Sequence, residues 1–459
     1  MVDSIKSKKE SEKKFQVGRR GFLKTSAAAA AMGVLGAIKA PAKIAEAISA
    51  SSYGYIPGGK GKWSKLCPEP NYGGATVRYA ENNDQWLGTS KIIGPIQRKS
   101  EKDMGFGLAI QGTLGAKAHN GFLKRRSYPL VGGFGTAIGP ISLNTIVDGK
   151  PNPESLPIPD PEQMSMHIKD MAYYLRADEV GIGKMPEYAY YSNQMDPGLN
   201  DFLVISRTTG KEPPLGEKPV TEKMPYVIVV MVEQHLESHL ASTGYDGISS
   251  CLSYRCYHAT ANIAVIMAKY IRELGYHARA HHFGNYAAAM PPCIIAAGMG
   301  ELTRTGDCAA HPRMGFRNKV AAITTDLPLV PDKPIDFGML DFCRVCNKCA
   351  ENCPSQAISS DLDPVEMNGY LRWNSDFKKC TVFRVSNEEG TSCHRCIKVC
   401  PWSSKENSWF HEAGIWIGSK GESSARLLRS IDDMFGYGTE IVEKYRWWIE
   451  WPDLYKVPM

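Results

Sequence analysis

The sequence predicts an α+β chain of two compact parts, a body of helices and strands followed by a small cysteine-rich module. Three observations carry this reading. The 459 residues exceed what one domain of ~100–200 residues holds. Residues 161–335 alternate helical and extended patterns. Eight of the thirteen cysteines fall between positions 343 and 400. At 43% hydrophobic and 22% charged, the composition is that of an ordinary globular protein able to bury a core.

In chain order, residues 1–47 read as a twin-arginine export signal: "GRRGFLKTSAAAAAMGVLGA" sets Arg19 and Arg20 just before a run of small apolar residues. Thr25 to Ile38 is shorter than the ~20 apolar residues that a bilayer span needs. Ala45-Glu46-Ala47 and Ala40-Pro41-Ala42 are the two candidate cleavage sites. Residues 1–50 carry ten Lys/Arg against four Asp/Glu, so the basic balance of the chain belongs to this segment and the remainder is formally neutral. That leaves no electrostatic case for a nucleic-acid partner.

Residues 48–160, rich in glycine, proline and polar residues, read as an irregular N-terminal region of loops and short helices. From Pro161, "PEQMSMHIKDMAYYLRADEVGIGKM" predicts a helix and then a strand over 179–182; "YVIVVMV" (226–232) is a buried strand. "YHATANIAVIMAKYIRELGYHARAHHF" predicts a long apolar helix ending near Gly275, where glycine suits a left-handed cap, and a strand after it. "LPLVPDKPIDFG" (327–338) is a proline-stiffened connection out of this 161–335 body into a module spanning 336–410. The 411–459 tail carries "YRWWIEW" (445–451), which suits docking on the body through aromatics.

The cysteines set the chemistry. Cys343, Cys346, Cys349 and Cys353 are spaced CxxCxxCxxxCP; Cys393, Cys396 and Cys400 are spaced CxxCxxxCP, with Cys380 thirteen positions before Cys393. In two-cluster bacterial ferredoxins, three cysteines of such a run bind one cluster and the fourth binds the other. The expected sets are therefore Cys343, Cys346, Cys349 and Cys400 for a first [4Fe-4S] cluster, and Cys353, Cys380, Cys393 and Cys396 for a second. Zinc also accepts four thiolates from CxxC pairs, but the double CP ending and the three-then-one spacing favour clusters. The remaining five, Cys67, Cys251, Cys256, Cys293 and Cys308, are scattered, and Cys251 and Cys256 read as buried thiols.

Together, the twin-arginine leader, "ITTDLPLVPDKPIDFG" entering "DFCRVCNKCAENCPSQAIS", the second cysteine run and "DDMFGYG" resemble the respiratory reductive dehalogenases, over about half of the chain. The resemblance implies a nitroreductase-like α/β core holding a base-off corrinoid, joined to the two-[4Fe-4S] ferredoxin-like module, with one cluster near the cobalt. Consistent with a base-off corrinoid, DxHxxG is absent: "RAHHFG" (279–284) has Arg279 where aspartate is required, so His281 and His282 read as strand or pocket-lining residues. It implies an organohalide substrate, which an apolar pocket suited to small chlorinated hydrocarbons would take. It also implies a small integral-membrane anchor subunit, a quinol or other redox donor, and a location on the outer face of the cytoplasmic membrane.

The resemblance further implies a tyrosine proton donor about eighteen residues before the glycine that ends the long helix, which lands on Tyr257. Its partner cation falls on Lys319 in "GFRNKVAA", with Arg317 as the alternative. A phenol of ordinary pKa ~10 donates poorly at neutral pH, and a neighbouring cation stabilises the phenolate left behind. Phe283 falls where some members carry asparagine. His235 and His239 stand four apart in "EQHLESHLA", without forming HExxH, and read as a solvated helix face.

Two other readings use parts of the same pattern. A pure electron-transfer subunit would leave the long stretch ahead of the clusters unexplained, and cobalt content separates it. An epoxyqueuosine reductase would work on transfer RNA in the cytoplasm, against the export signal and the neutral charge.

Overall fold

The computed structural model describes residues 66–67, 72–82, 91–124, 126–403, 409–436 and 438–456. The export signal expected over 1–47 lies outside the described residues.

The region ahead of the body contributes short helices α1 (Gly105–Ile110), α2 (Ala116–Lys124), α3 (Pro129–Ile141) and α4 (Asn144–Val147). The body opens with α5 (Pro161–Tyr174). Pro161 pre-sets the first turn, and the Asp160 carboxylate accepts the Gln163 N–H that no helical carbonyl could take. Then come β1 (Glu179–Lys184), β2 (Asn193–Asp196), α6 (Leu199–Thr209), β3 (Gly216–Pro219), β4 (Tyr226–Glu233), α7 (Leu236–Ala241), α8 (Ile248–Glu273), β5 (Ala278–His281), α9 (Met290–Ala296) and β6 (Asn318–Thr325).

The main sheet has the order β1-β4-β6-β5, and every pairing is antiparallel. The body is thus α+β. Its 226–232 run reads as uninterrupted apolar sequence because both faces of β4 are covered. Ile228, Val230 and Val232, with Ala321 and Ile323 of β6, pack toward α5 and α8; Val227, Val229 and Met231, with Val320 and Ala322, pack toward α9. Helix α8 answers with Cys256, Ile263, Ala264, Met267, Ala268 and Ile271 at helical spacing. It ends two residues before Gly275, whose φ of +87° is the left-handed cap expected from the sequence. A Cβ there would sit 2.4 Å from the Ser155 backbone, so close packing as well as conformation requires glycine.

Residues 327–338 cross back over the body and are pinned by a buried ion pair. Asp332 accepts from Lys169 Nζ at 2.6 Å and from the Ile182 N–H at 2.9 Å. The Lys169 side chain is only 2% exposed. Lys169→Met is therefore expected to remove the buried cation opposite Asp332 and to cost about 3–5 kcal/mol. A lowered thermal midpoint of the purified protein measures this; an unchanged midpoint contradicts it.

The cysteine module is built from α10 (Met339–Val345), α11 (Lys348–Glu351), α12 (Phe377–Ser386) and α13 (Arg395–Val399), followed by α14 (Trp409–Gly418) and α15 (Glu422–Phe435). Phe337 and Phe342 meet Trp402 edge-on at 5.1 and 5.7 Å in its core. The module clamps onto the body at the α7–α8 corner: Gly244 O accepts the His394 N–H at 2.7 Å, and Leu240 O accepts from Lys398 Nζ at 2.7 Å. This joint brings the cysteines beside the N-terminal end of α8. The tail docks on the same corner through Trp448 and Tyr455, both buried, while Trp447 donates Nε1–H to Ser238 Oγ.

Candidate functional site

Helix periodicity and strand register together build the site. On α8, Cys256 and Thr260 turn into the protein, and Tyr257 stands beside them, half-buried, beyond the end of the apolar stripe. On β6, Lys319 has the same parity as Ala321 and Ile323, so its side chain leaves the sheet on the α8 face. Lys319 Nζ stands 5.7 Å from the centre of the Tyr257 ring. The two residues, 62 apart in sequence, are neighbours because β6 and α8 pack together.

Arg317, the alternative cation, is spent elsewhere. Its guanidinium donates to Ser403 O at 2.6 Å, to Gln234 O, and to the Glu233 carboxylate. Of the two sequence candidates, Lys319 is therefore the one placed at the tyrosine ring.

An aromatic wall completes the pocket. Phe283 stacks on Tyr257 at 4.6 Å with an interplanar angle of 21°, and Tyr254, one turn earlier on α8, meets Phe283 edge-on at 5.1 Å. Phe283 is thus a direct neighbour of the phenol, a contact with no signal of its own in the sequence. Tyr286, three residues on, also neighbours Tyr257. So does Arg384 of α12, which is held 4.7 Å over the Phe106 ring and interacts electrostatically with Tyr257, Cys380 and Cys393. Its position was legible in part, since Arg384 follows Cys380 by four residues and shares its helix face.

The eight clustered cysteines fall into two groups. Cys349 has Cys343, Cys346 and Cys400 as its neighbours, and these four line one small cavity with Met339 and Phe342. Cys393 has Cys380 and Cys353 as neighbours, and Cys396 has Cys393 and Cys380. Cys349 also faces Cys396, which puts the two groups side by side. The second group is the one that shares Arg384 with Tyr257. Cys308 is a further thiol next to Cys396.

Burial pushes the Cys346 and Cys393 thiols up to about 12 and those of Cys380 and Cys400 to about 11. Thiolates packed this closely persist only around added positive charge, which the iron of a cluster supplies. Among the described residues no three His, Cys, Asp or Glu side chains converge on one ion-sized point.

The histidines are structural neighbours of the site. His281 Nε2 meets Thr324 Oγ1 at 2.9 Å and its Nδ1 accepts the Ala287 N–H; His282 contacts the Ile141 and Phe283 carbonyls. The solvated face expected for His235 and His239 needs correction at His239. It is 1% exposed and stacks on His394 at 4.4 Å, because the module covers α7. His235 instead caps α7, its ring accepting the Ser238 N–H. Cys251 and Cys256 are buried.

Residues 342–403 match the family of 4Fe-4S double cluster binding domains. Over 307 residues the chain is 32% identical to a tetrachloroethene reductive dehalogenase of Dehalobacter restrictus, covering 60% of this chain and 54% of that one. The catabolic reductive dehalogenase NpRdhA, solved in complex with 3-bromo-4-hydroxybenzoic acid, superposes with a TM-score of 0.71 at 30% identity over 85% of this chain and 54% of that one. A reductive dehalogenase structure reported with a mechanism for B12-dependent dehalogenation superposes with a TM-score of 0.70 at 30% identity, covering 85% of this chain and 53% of that one. The chain therefore spans little more than half the length of these relatives.

Proposed function

We propose that this chain, which is similar to reductive dehalogenases, removes halide from an organohalide at a corrinoid cobalt, with Tyr257 as the proton donor. The observation that carries this is the convergence of Tyr257, Lys319 and the second cysteine group in one place.

The residues suit the groups that the homology implies. Cys343, Cys346, Cys349 and Cys400 would hold one [4Fe-4S] cluster and Cys353, Cys380, Cys393 and Cys396 the other. Both ring nitrogens of His239 and the Nε of Arg384 are buried without a hydrogen-bond partner among the described residues. Polar groups left so fit a ligand with its own hydrogen-bonding rim, as a corrinoid has in its amide side chains. When bound, the corrinoid supplies low-potential cobalt and the clusters supply electrons.

The chain's own residues do the remainder. Phe283 fixes the ring plane of Tyr257, whose hydroxyl gives up the proton that replaces the halogen on carbon. Lys319 stabilises the phenolate that remains. The aromatic wall of Tyr254, Tyr257 and Phe283 favours a small apolar substrate such as a chlorinated hydrocarbon.

We place the protein on the outer face of the cytoplasmic membrane in organohalide respiration, peripheral to a small integral-membrane anchor subunit and supplied by a quinol or other redox donor. The paired arginines Arg19 and Arg20 support this reading. Among the described residues no helix is long and apolar enough to cross a membrane.

Elemental analysis of protein reconstituted anaerobically with corrinoid tests the assignment. About one cobalt and about eight iron per chain is the expected result. Full iron without cobalt would leave an electron carrier and remove Tyr257 and Lys319 from the account.

A further inference from the structure

An electron arriving at a buried, thiolate-bound centre adds negative charge where water cannot screen it. We propose that Arg304 raises the reduction potential of the first [4Fe-4S] cluster, the one assigned to Cys343, Cys346, Cys349 and Cys400, and so lets it take electrons from the redox donor. The inference rests on the reading that these four cysteines carry a cluster.

Arg304 is 0% exposed and lines the same small cavity as the four cysteines. Its guanidinium directs every nitrogen at backbone carbonyls. Nε donates to Cys343 O at 3.0 Å, and Nη1 donates to Ser359 O at 3.0 Å and to Asp361 O at 2.6 Å. Nη2 donates to Cys343 O and, at 3.4 Å, to Arg344 O. The guanidinium carbon stands 4.8 Å from the centre of the Trp373 ring, and Trp373 in turn donates Nε1–H to Asp361 O at 3.0 Å. The fork is thus locked against the backbone of a residue assigned to the cluster.

The charge sets Arg304 apart. Carbonyls solvate a guanidinium without neutralising it, and among the described residues Arg304 forms no ion pair. The other cation on the cavity wall, Lys348, is matched by the carboxylates of Asp432 and, at 3.1 Å, Asp433. A buried cation without a carboxylate is costly to keep. Thiolates in the cavity would offset it, and the Cys343 and Cys349 sulfurs both interact electrostatically with Arg304. A staple on the last turn of α10 is the plainer role, since carbonyls at a helix C-terminus favour a cation. The two roles differ in what happens when the charge alone is removed.

The electron balance is simple. Each electron from the redox donor adds one negative charge to a centre that four thiolates already make anionic, and then leaves toward the second cysteine group. No bond forms and no proton moves. Arg304 stabilises the reduced form, which raises the potential.

The test is a redox titration of the reconstituted holoenzyme followed by low-temperature electron paramagnetic resonance, which reads the clusters and not turnover. The first cluster is identified as the signal that persists in Cys380→Ala, whose lost ligand belongs to the second. In Arg304→Gln its midpoint should fall. At a fixed potential the reduced-to-oxidised ratio should drop about tenfold, which is about 59 mV for one electron. A unit charge ~12 Å away in an effective dielectric of about 20 has an effect of that size. The second cluster should move less, and iron should stay at about eight per chain. Arg304→Lys, which keeps the charge and loses the fork, should restore the midpoint even where it lowers thermal stability.

Should Arg304→Gln fail to take up iron, citrulline at position 304 carries the same test, because it keeps the length and the Nε–H and loses the charge. An unmoved midpoint in a neutral variant with full iron overturns the proposal. So does an equal shift of both clusters, or an Arg304→Lys midpoint as low as that of the neutral variant. Loss of the first cluster from both neutral variants would make Arg304 a structural staple and overturn it equally. Wild-type protein that shows no cluster signals would instead remove the cluster reading itself.

Discussion

Tyr257→Phe is expected to lower turnover about 10²–10⁴-fold, the range that a positioned general acid supplies, with cobalt and iron contents unchanged. The substitution removes one oxygen and nothing else that the structure uses to place the ring. Stacking on Phe283 and the approach of Lys319 to the ring face need only the aromatic system. The loss therefore reads out the proton alone. Steady-state assay beside elemental analysis checks it, and full activity with normal cofactor content would end the assignment. Lys319→Met should lose part of the same activity and Lys319→Arg much less, since either long cation can offset a phenolate.

What could be read from the sequence divides along the range of the interactions involved. The cysteine runs, the cap at Gly275 and the apolar stripe of β4 are local patterns, and each has its counterpart in the structure as spacing, a positive φ and a two-sided core. Strand pairing is not local. The alternation of helices and strands over 161–335 does not say how the strands pair, and only the register of β4 against β1 and β6 makes the sheet antiparallel. The site follows the same division. Tyr257, Lys319 and the position of Phe283 were reached through a family resemblance, whereas the stacking of Phe283 on Tyr257 and the approach of Arg384 arise because separate segments fold onto α8. His239 was misread for the same reason: a helix face looks solvated until the module that covers it is counted.

The largest effects of all should come from the cysteines, and their pattern is more informative than their size. Two partitions suit the spacing at first glance. Each run could hold its own cluster, pairing Cys353 with Cys343, Cys346 and Cys349; or the runs could exchange their last members. The structure groups Cys400 with the first run and Cys353 with Cys380, Cys393 and Cys396. The local reason is visible in the chain. Cys343, Cys346 and Cys349 lie on or between the short helices α10 and α11, so they turn about one centre, while Cys353 has already left α11 toward α12. Single alanine variants at any of the eight should lose about four of about eight iron and drop dehalogenation to background. The double variants then separate the partitions. Cys343→Ala with Cys400→Ala should retain the same iron as either single variant, because both residues serve one cluster. Cys343→Ala with Cys353→Ala should lose nearly all of it, because they serve different ones. The exchanged partition would be wrong if Cys343→Ala with Cys353→Ala were the pair that kept half the iron. Two adjacent clusters that each take a ligand from the other's run cannot be assembled one domain half at a time, so the module's fold and its iron must form together.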